Sequence, residues 1–364
     1  MLHRCQTKRI KIGGVEIGGG APVAIQSMTT TDTADVQATL KQIRELKHAG
    51  CEIVRVAVPD KIAASSLKEI VAGSPLPIIA DIHFDYRLAL LSIKAGVAKL
   101  RLNPGNIGGE IKLAAVAKAA QHHGIPIRIG VNSGSLEREI LERYSRVTAE
   151  AMVESALKHT RFLEKVGFKN IVLSFKATNV PITFKAYKLI AEKTKYPLHL
   201  GITEAGTQRW GIIKSSIGIG ALLLEGIGDT IRVSLTADPV EEIKVARNIL
   251  QAVGLRSFAP EVISCPTCGR CRINLIQLTE EVERKVEKID LPLKIAVMGC
   301  VVNGPGEARE ADLGICGGKE IGAIFKKGKI IKKVPSEKLL DSLIEEIEAI
   351  QKGAKNKAGK QEVF

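Results

Sequence analysis

Aromatic residues make up only 4% of this chain, with a single tryptophan among them. Proteins that bind single-stranded nucleic acid interleave basic residues with stacking aromatics. The scarcity therefore weighs against a nucleic-acid partner despite a formal net charge of +14. Long apolar runs are also missing: none reaches the roughly 18 to 20 residues that a membrane span needs. No secretory leader is visible at Met1-Leu2-His3-Arg4. A cytoplasmic protein with no membrane partner is expected. No Gly-x-Gly-x-x-Gly turn follows the first predicted strand, so a doubly wound dinucleotide-binding sheet lacks support. A structural zinc ribbon wants a second, distal Cys-x-x-Cys knuckle, and the distal half offers Cys300 alone with Cys316 well beyond it, so zinc fits poorly. The bias of the seven cysteines toward the C-terminus of a long chain suits a reducing compartment rather than disulfides.

What is present is a rhythm. From residue 20 onward short β-branched runs alternate with amphipathic stretches, the pattern of βα units around a parallel sheet. The eight runs are 23–27, 52–57, 76–81, 98–102, 126–131, 170–174, 197–201 and 230–234. Val36, Leu40, Ile43 and Leu46 give the first helix one apolar face, and Gly50 stands just past its end. Residues 86–94, 111–122, 149–165, 183–193 and 239–253 repeat that spacing. Eight such units predict an α/β fold of the (β/α)8 TIM-barrel type. The rhythm breaks between Gly254 and Pro260, so the barrel is assigned to residues 1–256 and a smaller α+β module to 257–364. That module should hold strands at 294–298 and near 313–315, a hairpin turning at Lys327-Gly328 and a helix near 337–351. A disordered basic tail is expected after Lys352.

Cys265-Pro-Thr-Cys268-Gly-Arg-Cys271 opens the module, and Gly299-Cys300-Val-Val-Asn303-Gly-Pro-Gly-Glu307 follows its first strand. Soft thiolates at two-residue spacing, answered by a remote ligand, suit a four-iron cluster better than zinc. Spacing alone leaves open which of Cys271, Cys300, Cys316 and Glu307 complete the set. In the barrel, Arg55, Arg101, Arg128 and Arg232 lie in predicted strands and Lys176 follows one, with Asn103, Asn132 and Ser234 beside them. Each cation could pair with a core carboxylate such as Asp81, Glu204 or Asp229. Five of them at one barrel mouth outnumber those carboxylates and argue for a multiply charged anion, most naturally a diphosphate. Glu204, at the end of the seventh strand, is the expected acid/base. His83 and His199 carry no assigned role.

The segments Val23-Ala-Ile-Gln-Ser-Met28, Leu100-Arg-Leu-Asn-Pro-Gly-Asn106, Gly130-Val-Asn-Ser-Gly-Ser135 and Thr203-Glu-Ala-Gly206 combine with Cys265-x-x-Cys268 and Asn303-Gly-Pro-Gly-Glu307-Ala-x-x-Ala-Asp312. Together they closely resemble the IspG (GcpE) family of 4-hydroxy-3-methylbut-2-en-1-yl diphosphate synthases, in its compact bacterial form. The resemblance implies a [4Fe-4S] cluster held by Cys265, Cys268, Cys300 and Glu307, with Cys271 a bystander. It also implies reductive ring opening of 2-C-methyl-D-erythritol 2,4-cyclodiphosphate, with two electrons consumed and water lost, in the non-mevalonate isoprenoid pathway. Arg55, Arg101, Arg128, Lys176 and Ser234 would hold the diphosphate, Asn103 and Asn132 would assist, and Glu204 would manage a proton. A reduced ferredoxin or flavodoxin would supply the electrons. A chain leaving the last barrel helix emerges at the end opposite the mouth, and a helix of about 15 residues spans about 22 Å. A head-to-tail homodimer, with one subunit's cluster serving the other's barrel, is therefore expected.

Overall fold

The computed structural model describes residues 3–103, 107–287, 289, 291–301 and 304–358. The side chains of Glu307 and of 354–358 lie outside the described set, as do Asn106 and Asn303 of the two long motifs. The chain divides into two compact units, Met1–Arg256 and Ser257–Phe364.

The first unit opens with a hairpin, β1 (Ile10–Ile12) against β2 (Val15–Ile17). Eight parallel strands follow: β3 (Ala24–Met28), β4 (Ile53–Val58), β5 (Ile78–Ile82), β6 (Lys99–Leu102), β7 (Ile127–Asn132), β8 (Ile171–Lys176), β9 (His199–Leu200) and β10 (Thr230–Ile231). They are hydrogen-bonded in the order β8-β7-β6-β5-β4-β3-β10-β9, and a parallel bridge from Leu173 to Leu198 joins the two ends into a barrel. Every residue of β5, β6 and β8 is buried, because helices cover the outer face while side chains fill the inner one. Asp35, Asp60, Asp85, Thr148, Asn179 and Asp238 cap the helices that follow them by accepting from backbone N–H groups of the first turn. Ile10, Ile12 and Ile17 of the hairpin pack on Ala24, Ile53, Ile79 and Val172, the inward residues at the strand beginnings. The hairpin thus plugs the end of the barrel opposite the strand C-termini.

The predicted seventh and eighth strands shrink to two residues each. Pro197 has no N–H to donate, although the ladder goes on beyond β10 with Arg232 N donating to Leu200 O at 2.9 Å. Helices at Lys61–Gly73 and Gln208–Leu224 complete the βα units that periodicity did not delimit. Glycines explain the second. A Cβ at Gly218 would meet Ile202 at 2.6 Å and one at Gly211 would meet Leu235 at 2.5 Å, so close packing replaces a regular apolar stripe.

The second unit is a five-stranded sheet in sequence order: β11 (Glu261–Ser264), β12 (Lys294–Met298), β13 (Leu313–Cys316), β14 (Ile321–Lys326) and β15 (Lys329–Pro335). The first three strands are parallel and the last two add antiparallel. Helices Leu275–Val286 and Leu339–Ala358 contribute Val282, Leu339, Leu343 and Ile347 to its core. The final helix runs to Ala358, which corrects the first part of the tail expected after Lys352; residues 359–364 lie outside the described residues. Among the described residues no helix is long and apolar enough to cross a membrane.

Candidate active site and metal centre

Alternate residues of a strand face the barrel interior, and here that face is cationic. Pairing registers set Asp81, Arg101 and Arg128 side by side across β5, β6 and β7. Asp81 is the hub. Its carboxylate lies 3.1 Å from Arg101 Nη1 and 3.6 Å from Arg55 Nε. Burial pushes the Asp81 carboxyl up, but Arg55, the His83 hydrogen bond, Arg101 and Arg128 outweigh it and hold it well below the carboxylate range. Arg101 also lies 2.6 Å from His83 Nε2 and donates to Asn132 Oδ1 at 3.2 Å. Arg55 donates to Met28 Sδ at 3.0 Å. Burial lowers the Arg55 guanidinium to about 10, Asp81 opposes the change, and Arg232 and Arg101 add to it.

Arg232, just past β10, pairs with Glu242 at 3.5 Å, and Glu242 also accepts from Ser27 Oγ and Leu235 N. The sequence had suggested Glu204 or Asp229 as further barrel counter-ions, and neither serves. Asp229 binds Arg4 at 3.1 Å, while Glu204 accepts from Thr178. Lys176 is buried at the end of β8, opposite Asn132 in register, and burial together with the four arginines pushes its ammonium well below the lysine range. Arg128 is fully buried, and none of its three guanidinium nitrogens has a hydrogen-bond partner among the described residues. Burial, then Arg55 and Arg101, depress it strongly. Two carboxylates, Asp81 and Glu242, thus serve three of the five cations. The surplus creates a field suited to an anion of more than one charge, since an uncompensated buried cation costs several kcal/mol.

Asn132 and Lys176 end their strands, Asn103 directly follows β6, and Ser234 and Glu204 lie on the segments that follow β10 and β9, the side of the barrel where active sites lie. Asn103 donates to Ser135 Oγ at 2.7 Å. Glu204 is exposed and stands at φ +51°, a left-handed conformation uncommon outside glycine, with its Oε2 2.6 Å from Thr178 Oγ1. Sequence reasoning missed Thr178, Met28 and Glu242 as site residues and left His83 without a role. Position was the available signal: Met28 ends β3, and His83 and Thr178 follow β5 and β8 within two residues.

In the second unit the cysteines gather through strand order rather than through spacing. Cys265 follows β11, Cys300 follows β12 by two residues, and Cys316 ends β13; these are three adjacent parallel strands pointing the same way. Cys265, Cys271 and Cys300 are half-buried, Cys268 is exposed and Cys316 is buried. Gly299 N donates to Cys265 Sγ at 3.3 Å, the kind of backbone bond that steadies a cluster thiolate. Cys271 Sγ lies 2.7 Å from where a Cβ on Gly299 would stand. Cys316 belongs to an inner core with Met298, Ala323 and Phe325. The expected fourth ligand, Glu307, has its side chain outside the described residues. Among the described residues no three His, Cys, Asp or Glu side chains converge on one metal ion. Soft thiolates at neighbouring strand ends, one already receiving a backbone hydrogen bond, suit an iron–sulfur cluster, whose separate corners do not require ligands to meet at a single atom.

Residues 7–247 match the family model of the GcpE TIM-barrel domain, and residues 261–349 match that of the GcpE protein C-terminal domain. A protein of Caldanaerobacter subterraneus subsp. tengcongensis, named 4-hydroxy-3-methylbut-2-en-1-yl diphosphate synthase (flavodoxin), is 61% identical over 95% of this chain and 98% of its own length. Proteins of the same name from Clostridium acetobutylicum and Geobacter sulfurreducens are 60% and 56% identical, over 95% of this chain and 99% and 98% of their own lengths. Among solved structures, a Yersinia pestis dihydropteroate synthase aligns with a TM-score of 0.51 at 10% identity, covering 67% of this chain and 99% of that one, a likeness of fold alone.

Proposed function

The chain belongs to the GcpE family, and from that premise we infer that it catalyses the reductive ring opening and dehydration of 2-C-methyl-D-erythritol 2,4-cyclodiphosphate to 4-hydroxy-3-methylbut-2-en-1-yl diphosphate, a step of the non-mevalonate isoprenoid pathway. The observation that carries this reading is the surplus of buried cations over carboxylates inside the barrel, with Arg128 fully buried and, among the described residues, unpartnered. A cyclic diphosphate brings the negative charge that such an interior is short of.

In this reading Arg55, Arg101, Arg128 and Lys176 grip the diphosphate, Ser234, Asn103 and Asn132 add neutral hydrogen bonds, and Asp81 fixes the direction of two guanidinium groups. Holding the phosphates from below leaves the carbon skeleton toward the mouth, where Glu204 delivers the proton that the departing hydroxyl takes as water. Cys265, Cys268, Cys300 and Glu307 would hold a [4Fe-4S] cluster, which when bound supplies the two electrons singly. The electron donor is a reduced flavodoxin or ferredoxin, the former being the donor in the relatives' names. The formal charge of +14 favours an acidic carrier of that kind. The active form is a homodimer in which each barrel is served by the partner subunit's cluster module.

The test is turnover. Protein reconstituted anaerobically with iron and sulfide, given a reduced one-electron donor and the cyclic diphosphate, should release the linear diphosphate. Recovery of unchanged substrate from protein that has incorporated four irons per chain would overturn the assignment.

A further inference from the structure

Beneath the arginines lies a second polar layer that none of the roles above uses. Lys99 is the first residue of β6 and faces inward with Arg101, two residues on. It is 0% exposed, and its Nζ has no hydrogen-bond partner among the described residues. Gln26 of β3 is 1% exposed, and both atoms of its amide lack a partner among the described residues. His199 of β9 is 0% exposed; Nδ1 lies 2.8 Å from Thr230 Oγ1, and Nε2 has no partner among the described residues.

The registers put these groups together. With a stagger of about one residue per strand around an eight-stranded barrel, Lys99 falls in the lowest inward layer, Gln26, Arg128 and His199 in the next, and Arg55, Arg101 and Arg232 above them. Apart from Thr230, the rest of the floor is apolar, Ile53, Ile79 and Val172, backed by the isoleucines of the hairpin. A barrel core is ordinarily filled with branched apolar side chains. Here a lysine, an arginine, an amide and an imidazole face the barrel interior, and Asp81, on the same inward face, is already bound to Arg55 and Arg101. Each of these four side chains can donate. The lysine has three N–H bonds, the guanidinium five and the amide two, and a neutral imidazole that accepts from Thr230 at Nδ1 carries its proton on Nε2.

We propose that Lys99, Gln26 and His199 form with Arg128 an inner oxyanion pocket, which receives one phosphoryl-type group beneath the ring of arginines. That group is either the inner phosphate of the diphosphate substrate or a free phosphate ion, and only the first source rests on the function proposed above. Lys99 is then a binding residue held at a cost to folding stability, because burying its charge without a permanent partner is unfavourable in the empty protein.

Calorimetric titration of the full-length protein with inorganic pyrophosphate and, separately, orthophosphate tests this, alongside thermal unfolding in phosphate-free buffer. Lys99→Met should weaken anion binding by about tenfold to a hundredfold, as expected for losing a charged hydrogen bond, and yet raise the melting temperature of the anion-free protein. Gln26→Leu should move both quantities in the same directions and serves if the first variant is not obtained folded. Weakened pyrophosphate binding supports the substrate's own phosphate as the occupant, and weakened orthophosphate binding alone supports a separate ion. Unchanged affinity for both anions overturns the pocket, as does a lowered melting temperature in phosphate-free buffer, which would make Lys99 structural. Arg55→Ala separates the two readings. If it leaves pyrophosphate affinity untouched while Lys99→Met still abolishes orthophosphate binding, the diphosphate reading fails and the inner pocket stands.

Discussion

Thr178 Oγ1 donates to Glu204 Oε2 at 2.6 Å, and the glutamate it holds is in a left-handed backbone conformation at φ +51°. A side chain kept in an unfavourable backbone state and aimed by a neighbouring hydroxyl fits the acid/base role proposed for it above. Glu204→Gln should lower kcat by about a hundredfold or more, in the range of a lost general acid. Thr178→Val should lower kcat by about tenfold with KM little changed, because a hydrogen bond to a charged group is worth about 1.5–3 kcal/mol. Steady-state kinetics with the cyclic diphosphate read both.

Gly299 lies between two cysteines, donating to Cys265 Sγ while Cys271 Sγ occupies the space a side chain would need. Gly299→Ala should destabilise the cluster-free protein by about 1–3 kcal/mol through overpacking. Cys271→Ala in the same chain should recover most of that loss, and thermal unfolding of the two single variants and the double variant measures the coupling.

Glu137 accepts from His159 Nε2 at 2.5 Å and from Ser155 Oγ at 2.7 Å. Burial raises its carboxyl, but these hydrogen bonds prevail and hold it at about 2. A carboxylate depressed in the folded state stabilises above its unfolded value of about 4.3, and that contribution disappears as pH falls toward the folded value. Glu137→Gln should therefore flatten the acid side of the curve of melting temperature against pH below about 4.3. An acid limb as steep as that of the unaltered protein would show that the pair contributes nothing.

Cys51 is buried behind β4, and burial pushes its thiol up to about 12, backbone hydrogen bonds only partly offsetting it. Because the thiolate is the nucleophile, iodoacetamide at mildly alkaline pH should modify the exposed Cys5 and leave Cys51 unlabelled until the protein is denatured, as read by peptide mass spectrometry.

The barrel was legible because short β-branched runs alternate along the chain with helices that are apolar on one face. Helix Gln208–Leu224 was not, since glycines at 211 and 218 pack where a stripe would have shown. In the site, Arg55, Arg101, Arg128 and Lys176 stood out as charges inside apolar runs. Their partners did not. Glu242 lies on an ordinary amphipathic helix, and only folding brings it back to Arg232 and Ser27. The cysteine arrangement was half visible, for Cys316 reaches the end of β13 beside the other two strand ends through sheet order that no linear spacing records. Lys99 was passed over because a single lysine opening a strand looks like a solvated edge until the hairpin closes over that end.

The central claim is that the cationic interior binds the diphosphate, and Arg128 carries it, a fully buried cation with no partner for any of its guanidinium nitrogens among the described residues. The direct measurement is calorimetric binding of the cyclic diphosphate to the unaltered protein and to Arg128→Ala at matched ionic strength. The account predicts an affinity loss of about a hundredfold or more, as charged hydrogen bonds to phosphate are removed. Equal affinity in the two proteins would contradict it.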